Sequence, residues 1–196
     1  MKIIILCSVI LTAFFGCQER KVSVHKQSIE KQIEQPTFID QSINNIILDN
    51  PKSSVSVIGK NLLNKRKLGE TLTIANKSNS ESLDLYFIPG NIKYSFSNFH
   101  LRFSNKNEHN THIVKSINNF ISGKGIKLGM SFKDVKMILG DGMEILSNGN
   151  QRIIQVRIEG MEKSTFLKSL NEATYFGTYI FNDNKLTEAY WGFEEP

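Results

Sequence analysis

Cysteine is almost absent from the 196-residue chain, which has two, Cys7 and Cys17. Both precede residue 18, so everything downstream is without a disulfide, a thiol nucleophile or a thiolate metal site. Long apolar runs are equally scarce. Only the first sixteen or so residues are nearly free of charge, and the mean hydropathy is −0.24, which excludes a polytopic membrane protein. The catalytic and nucleotide signatures are missing too: there is no G-x-S-x-G elbow, no H-E-x-x-H, and no G-x-G-x-x-G or Walker pattern among the glycines, including Gly123, Gly125 and Gly129. What is present is ordinary for a globular body, with 40% hydrophobic, 10% aromatic and 22% charged residues. The formal charge of +5 is mild. Clusters such as Lys60, Lys65, Arg66 and Lys67 read as a solvated loop, and no nucleic-acid partner or cofactor is expected.

The N-terminus carries the strongest signal. Lys2 precedes the apolar stretch Ile3 to Phe15, which has the length of a secretory h-region and is shorter than the ~20 residues of a spanning helix. Gly16 and Cys17 follow, then the polar Gln18, Glu19 and Arg20. This boundary resembles a bacterial lipoprotein signal, in which the cysteine takes a diacylglyceryl thioether and becomes the acylated first residue. The resemblance implies a signal peptide over 1–16, lipidation at Cys17 and anchoring in the cell envelope. Gln18 stands where inner-membrane retention uses aspartate, which points to the outer membrane. Residues 17–36 are polar, end at Pro36 and read as a tether. At ~5–6 Å times the square root of its length, such a coil holds the folded body some tens of ångströms from the bilayer.

Two sections of similar grammar follow, over 37–112 and 113–196. In the second, Ser131 caps a helix with Asp134 three residues on, Phe132, Val135, Ile138 and Leu139 form its apolar stripe, and Gly140 closes it. In the first, Asn50 caps, Pro51 takes the first turn, Val55 and Ile58 supply the stripe, and Gly59 closes, 81 residues before Gly140. Upstream, Ser42 to Ile47 echoes Ser116 to Ile121, at a spacing of 74. Strands are expected over Leu83 to Ile88, Ile92 to Phe103, His112 to Asn118, around Ile154, Val156 and Ile158, and over Tyr175 to Asn182 and Lys185 to Phe193. The last two form a hairpin around Asp183-Asn184. Met161 to Ala173 reads as a helical crossover or an insertion. Helices first and antiparallel strands after give an α+β fold of two repeats, with short helices packed on an antiparallel sheet.

The string Gly125 to Ser131, with Asp134-Val135 and Ile138-Leu139-Gly140, resembles the helix start of the SmpA/OmlA small lipoproteins and of the wider fold of the β-lactamase inhibitor proteins. The closing hairpin is also similar. The resemblance implies two α+β repeats sharing a sheet that is covered by helices on one side and open to protein partners on the other.

No residue set points to catalysis or to a metal. His109 and His112 have an H-x-x-H spacing but sit in the turn-rich stretch from Asn105 to Asn110, and His25 belongs to the tether. Alternation puts His100 and Arg102 on the polar side of one strand and Gln155 and Arg157 on that of another, and these four are the candidate partner-binding residues. Alanine at Arg102 and Arg157 is expected to leave stability nearly unchanged. Trp191, alternating with Ala189 and Phe193, is expected to face the helices. The reading is a lipid-anchored, non-catalytic protein-interaction module of the envelope; a ligand-binding or scaffold lipoprotein and a hydrolase using His100 or the His109 to His112 turn are its rivals.

Overall fold

Local signals set the helices. In the computed structural model, which describes residues 36–64, 71–87, 94–105 and 111–194, α1 spans Pro51–Ile58 and α3 spans Phe132–Leu139, with the short α2, Lys60–Asn64, directly after α1. Asn50 accepts from the Ser53 amide and Ser131 from the Asp134 amide, each satisfying one of the orphan donors of a first turn. Gly59 and Gly140 close the two helices at φ 89° and 78°, a backbone region that costs a β-carbon. α3 buries Phe132, Val135 and Leu139. A fourth helix, α4 (Thr165–Leu170), follows a 3-10 turn at Met161–Lys163.

The strands are β1 (Ser42–Ile43) and β2 (Ile46–Ile47), a small hairpin turned through Asn44-Asn45, and eight more in one sheet. These are β3 (Leu72–Ala75), β4 (Glu81–Phe87), β5 (Phe96–Phe103), β6 (His112–Ile113), β7 (Glu144–Asn148), β8 (Gln151–Glu159), β9 (Thr174–Asn182) and β10 (Lys185–Phe193), in spatial order β6-β3-β4-β5-β10-β9-β8-β7. The fold is α+β. Two meanders, β3-β4-β5 and β7-β8-β9-β10, meet where their last strands pair antiparallel, with Trp191 opposite Phe99 and Tyr190 opposite His100. Asp183 and Asn184 turn the last hairpin, both with positive φ, as a two-residue turn between twisted strands requires.

The structure corrects several boundaries. The sheet is mixed rather than wholly antiparallel, because β6 runs parallel to β3. β6 pairs with only the last two residues of β3, where that strand ends, so the strand expected through Asn118 stops at Ile113. β8 pairs directly with β9, so the Met161–Leu170 segment is an insertion in a hairpin connection and not a crossover. The echoing asparagine segments lie against each other: Asn44 Nδ2 donates to Asn119 O and accepts at Oδ1 from the Ile121 amide.

One face of the sheet carries the core. Leu83, Leu85, Phe99, Leu101, Ile154, Tyr179, Phe181, Ala189 and Trp191 pack there with the buried residues of α3 and α4. Trp191 is 1% exposed, edge-on to Phe99 at 5.6 Å, and faces the helices as its alternation predicts. Thr37 Oγ1 donates to Leu139 O and Phe38 is buried in this core. Asp40 is buried beside Tyr175: the Tyr175 hydroxyl accepts from the Asp40 amide and donates to its carbonyl, and burial raises the Asp40 carboxyl above the usual range.

Candidate functional site

Residues of the opposite parity make up the other sheet face, which registers into cross-strand rows. One row runs Thr73, Asp84, His100, Tyr190, Thr178, Gln155, Glu144 across β3, β4, β5, β10, β9, β8 and β7. A second runs Tyr86, Asn98, Gly192, Phe176, Arg157. A third holds Ser82, Arg102, Glu188, Ile180, Ile153 and Leu146. The four residues expected on a polar face therefore share it, but in two groups. β10 and β9 lie between them, a separation of about 14 Å at ~4.8 Å per strand.

The first group is a network rather than a free surface. His100 Nε2 lies 2.6 Å from Glu188 Oε1 and its Nδ1 lies 3.4 Å from Asp84 Oδ2. Arg102 donates from Nε to Asp84 Oδ2 at 3.0 Å and from Nη2 to Oδ1 at 3.3 Å, while Thr73 Oγ1 donates to Oδ1 at 2.7 Å. Burial is the largest influence on Asp84 and by itself raises its pKa. The bonds from His100, Arg102 and Thr73 outweigh it and hold the carboxyl down at about 2. For His100 burial pulls the other way, and the carboxylates of Asp84 and Glu188 overcome it, so the imidazole titrates above its ordinary value. With both ring nitrogens turned to carboxylates, His100 is built to hold a charge. The expectation that Arg102 can be exchanged at no cost is corrected by its contact with the nearly buried Asp84.

The second group pairs an exposed Arg157 with a half-buried Gln155. Arg157 donates from Nη2 to Glu194 Oε2 at 2.6 Å, from Nε to Glu159 Oε1 at 2.5 Å, and also pairs with Glu194 Oε1. Both partners raise its pKa, Glu194 most. Gln155 is half-buried and lines, with Arg157, Glu144, Phe176, Thr178 and Tyr190, a cavity of about 490 Å³. An adjoining cavity of about 460 Å³ is lined by Tyr86, Asn98, Phe176, Tyr190, Phe193 and Glu194.

Aromatic rings centre this face. Tyr190 meets Phe176 at 4.8 Å, His100 at 5.6 Å and Tyr86 at 5.8 Å, all tilted or edge-on. Their presence in strands was legible, and the alternation Ala189, Trp191, Phe193 already puts Tyr190 on the opposite side. Asp84 and Asn98 carry no such signal, since their roles depend on partners in other strands. Asp84 stands at the centre of the His100 and Arg102 contacts, and Asn98 is 5% exposed beneath the rings.

Cys17, His25, His109 and the basic stretch at 65–67 lie outside the described residues, and His112 is exposed at the start of β6. Among the described residues no group of three His, Cys, Asp or Glu is arranged to hold a metal ion, and no helix is long and apolar enough to cross a membrane. No family model, curated protein or solved structure matches the chain.

Proposed function

We propose that this protein is a lipid-anchored component of the bacterial cell envelope, at the outer membrane, that binds a partner protein through the open face of its sheet and catalyses no reaction. The observation that carries the reading is the face itself: Tyr86, Phe176 and Tyr190 stand together with His100, Gln155 and Arg157 on the side of the sheet opposite Leu83, Phe99, Tyr179 and Trp191 of the core, where two cavities open. Tyrosine and arginine are the side chains that contribute most at protein interfaces, and an antiparallel sheet needs only one covered face. Both nitrogens of His100 are engaged by carboxylates, which supports a structural rather than a general-base role.

The anchor is supported by Gly16-Cys17 directly after the apolar run, and the tether by the polar composition of residues 17–36. A two-repeat architecture like that of the SmpA/OmlA lipoproteins and the β-lactamase inhibitor proteins is supported by α1 and α3. Each has eight residues, each is capped by the residue before it and closed by glycine, and they are offset by 81 at both ends. α1 leads toward the meander β3-β4-β5 and α3 toward the meander β7-β8-β9-β10, and the two meanders meet at β5 and β10.

The test is capture from envelope extracts with the wild-type chain and the Gln155→Ala/Arg157→Ala variant. Arg157 is exposed and Gln155 half-buried, so both proteins should melt alike, and the variant should lose the captured partner. Identical capture profiles would refute the face as the binding surface.

A further inference from the structure

The two ends of the eight-stranded sheet differ. At one, β6 contributes only His112 and Ile113, too short an edge to template another strand. At the other, β7 runs for five residues, paired to β8 without a register shift, and no described strand lies beyond it. Every residue of β7 is exposed, including Ile145 at 40% and Leu146 at 41%. The devices that ordinarily blunt an edge are missing from it. β7 has no proline, no lysine and no bulge, and its single charge, Glu144, stands at its first residue.

The two-residue turn at Gly149 and Asn150 decides which backbone groups are free. It closes the hairpin on Asn148 and Gln151 as a hydrogen-bonded pair, so Glu144, Leu146 and Asn148 direct their backbone groups to β8. Ile145 and Ser147 therefore direct theirs outward, two N–H and two C=O groups that no described strand meets.

This edge is complementary to itself. With a two-fold axis at Leu146, Ile145 of one copy exchanges both hydrogen bonds with Ser147 of the other, and every outward group is used. Leu146 then faces Leu146 of the second copy as a non-hydrogen-bonded pair, the closer of the two antiparallel spacings. On the open face Leu146 ends the row Ile180, Ile153, Leu146, so the row continues into the second copy as six aliphatic side chains, three from each. On the core side the two Ile145 residues become diagonal neighbours, within reach of each other. The charges also fit. Glu144 falls opposite Asn148 of the second copy, an acceptor against an amide donor, and no like charges meet. Moving the axis to Ile145 would set Glu144 against Leu146 and lose this pairing.

We propose that β7 pairs antiparallel with β7 of a second copy of this chain about a two-fold axis at Leu146, joining the two sheets edge to edge. Antiparallel pairing keeps like faces on the same side, so the open faces of the two copies become one surface. A foreign strand could meet the same backbone groups, but only a second copy completes the aliphatic row and the Glu144 to Asn148 pairs from residues this chain itself supplies. The dimer does not depend on what the open face binds.

The test uses the full chain in detergent micelles, carrying Cys7→Ser and Cys17→Ser so that an introduced cysteine is the only thiol. Under mild oxidation Leu146→Cys should give a disulfide-linked dimer, because the facing α-carbons of such a pair lie ~4.5 Å apart, within the range a disulfide spans. Met137→Cys, 72% exposed on α3 and away from the edge, should not. Sedimentation of the thiol-free chain should show a dimer that dissociates on dilution. Ser147→Pro deletes an outward N–H and leaves the ladder to β8 intact, and it should raise the dissociation constant about tenfold or more. Leu146→Lys sets two ammonium groups against each other and should do the same without the conformational demand of proline. A chain still monomeric at about 1 mM would overturn the inference. So would Met137→Cys linking as readily as Leu146→Cys, or a dimer indifferent to both Ser147→Pro and Leu146→Lys, as one held through the apolar N-terminus would be.

Discussion

Trp191 offers a comparison in which two substitutions at one position give opposite outcomes. The side chain is 1% exposed, edge-on to Phe99, and set among Phe and Leu residues of the core, yet its indole Nε1 finds no acceptor among the described residues. Trp191→Ala removes the ring and leaves a cavity, which costs about 3–5 kcal/mol for a large buried aromatic. Against a total stability of ~5–15 kcal/mol this is a large fraction, and at ~2–4 °C per kcal/mol for a body of this size the melting temperature should fall by roughly 6–20 °C. Trp191→Phe leaves a gap of only a few tens of Å³, worth ~1 kcal/mol at ~24 cal/mol per Å³, and it also deletes a buried donor whose unsatisfied state costs ~1–3 kcal/mol. These nearly cancel, so the phenylalanine variant should stay within about 1 kcal/mol of the wild type. Urea unfolding followed by far-UV circular dichroism measures both, since neither variant retains the tryptophan, the only one in the chain. A loss above ~2 kcal/mol for Trp191→Phe would refute the reasoning, because the indole would then have to be bonded to something.

The remaining predictions concern the polar face and the anchor. Arg102→Ala should cost about 1.5–3 kcal/mol by stripping charged hydrogen bonds from the nearly buried Asp84, measured by the same unfolding curves, whereas Arg157→Ala should leave the curve unchanged. The Asp84 carboxyl is depressed to about 2, so its contribution is present above the ordinary 3.8 and is lost as pH falls toward 2. His100 is raised, so its contribution is complete below 6.5 and is lost as pH rises through the folded-state value. The network should therefore stabilise most between about pH 4 and 6.5, and Asp84→Asn should flatten both flanks of a stability-against-pH profile. Cys17→Ser should abolish acyl labelling and release the protein from membranes, because stable anchoring takes two or more acyl chains at ~0.8 kcal/mol per buried CH₂; label retained on the variant would refute lipidation at Cys17.

What the sequence alone determined is what neighbours in the chain decide. Caps at Asn50 and Ser131, closing glycines 59 and 140, the Asp183-Asn184 turn and the two faces of the last hairpin are set by side chains within a few residues of the backbone they govern. Where local pattern fades, so did legibility. β7 is exposed along its whole length and so has no alternation to read, and β3 is only four residues long. The tertiary structure decided the rest: that β5 pairs with β10, that Asp84 on β4 meets His100 and Arg102 on β5 while Glu188 reaches His100 from β10, and that glycine at 192 lets β10 lie closer to Ser97 and Asn98 than a β-carbon would allow. These contacts join residues as far apart in the chain as Asn98 and Gly192. Side-chain periodicity places a residue on one face or the other, but strand order and register decide which residue stands beside it, and those follow from how the whole core packs.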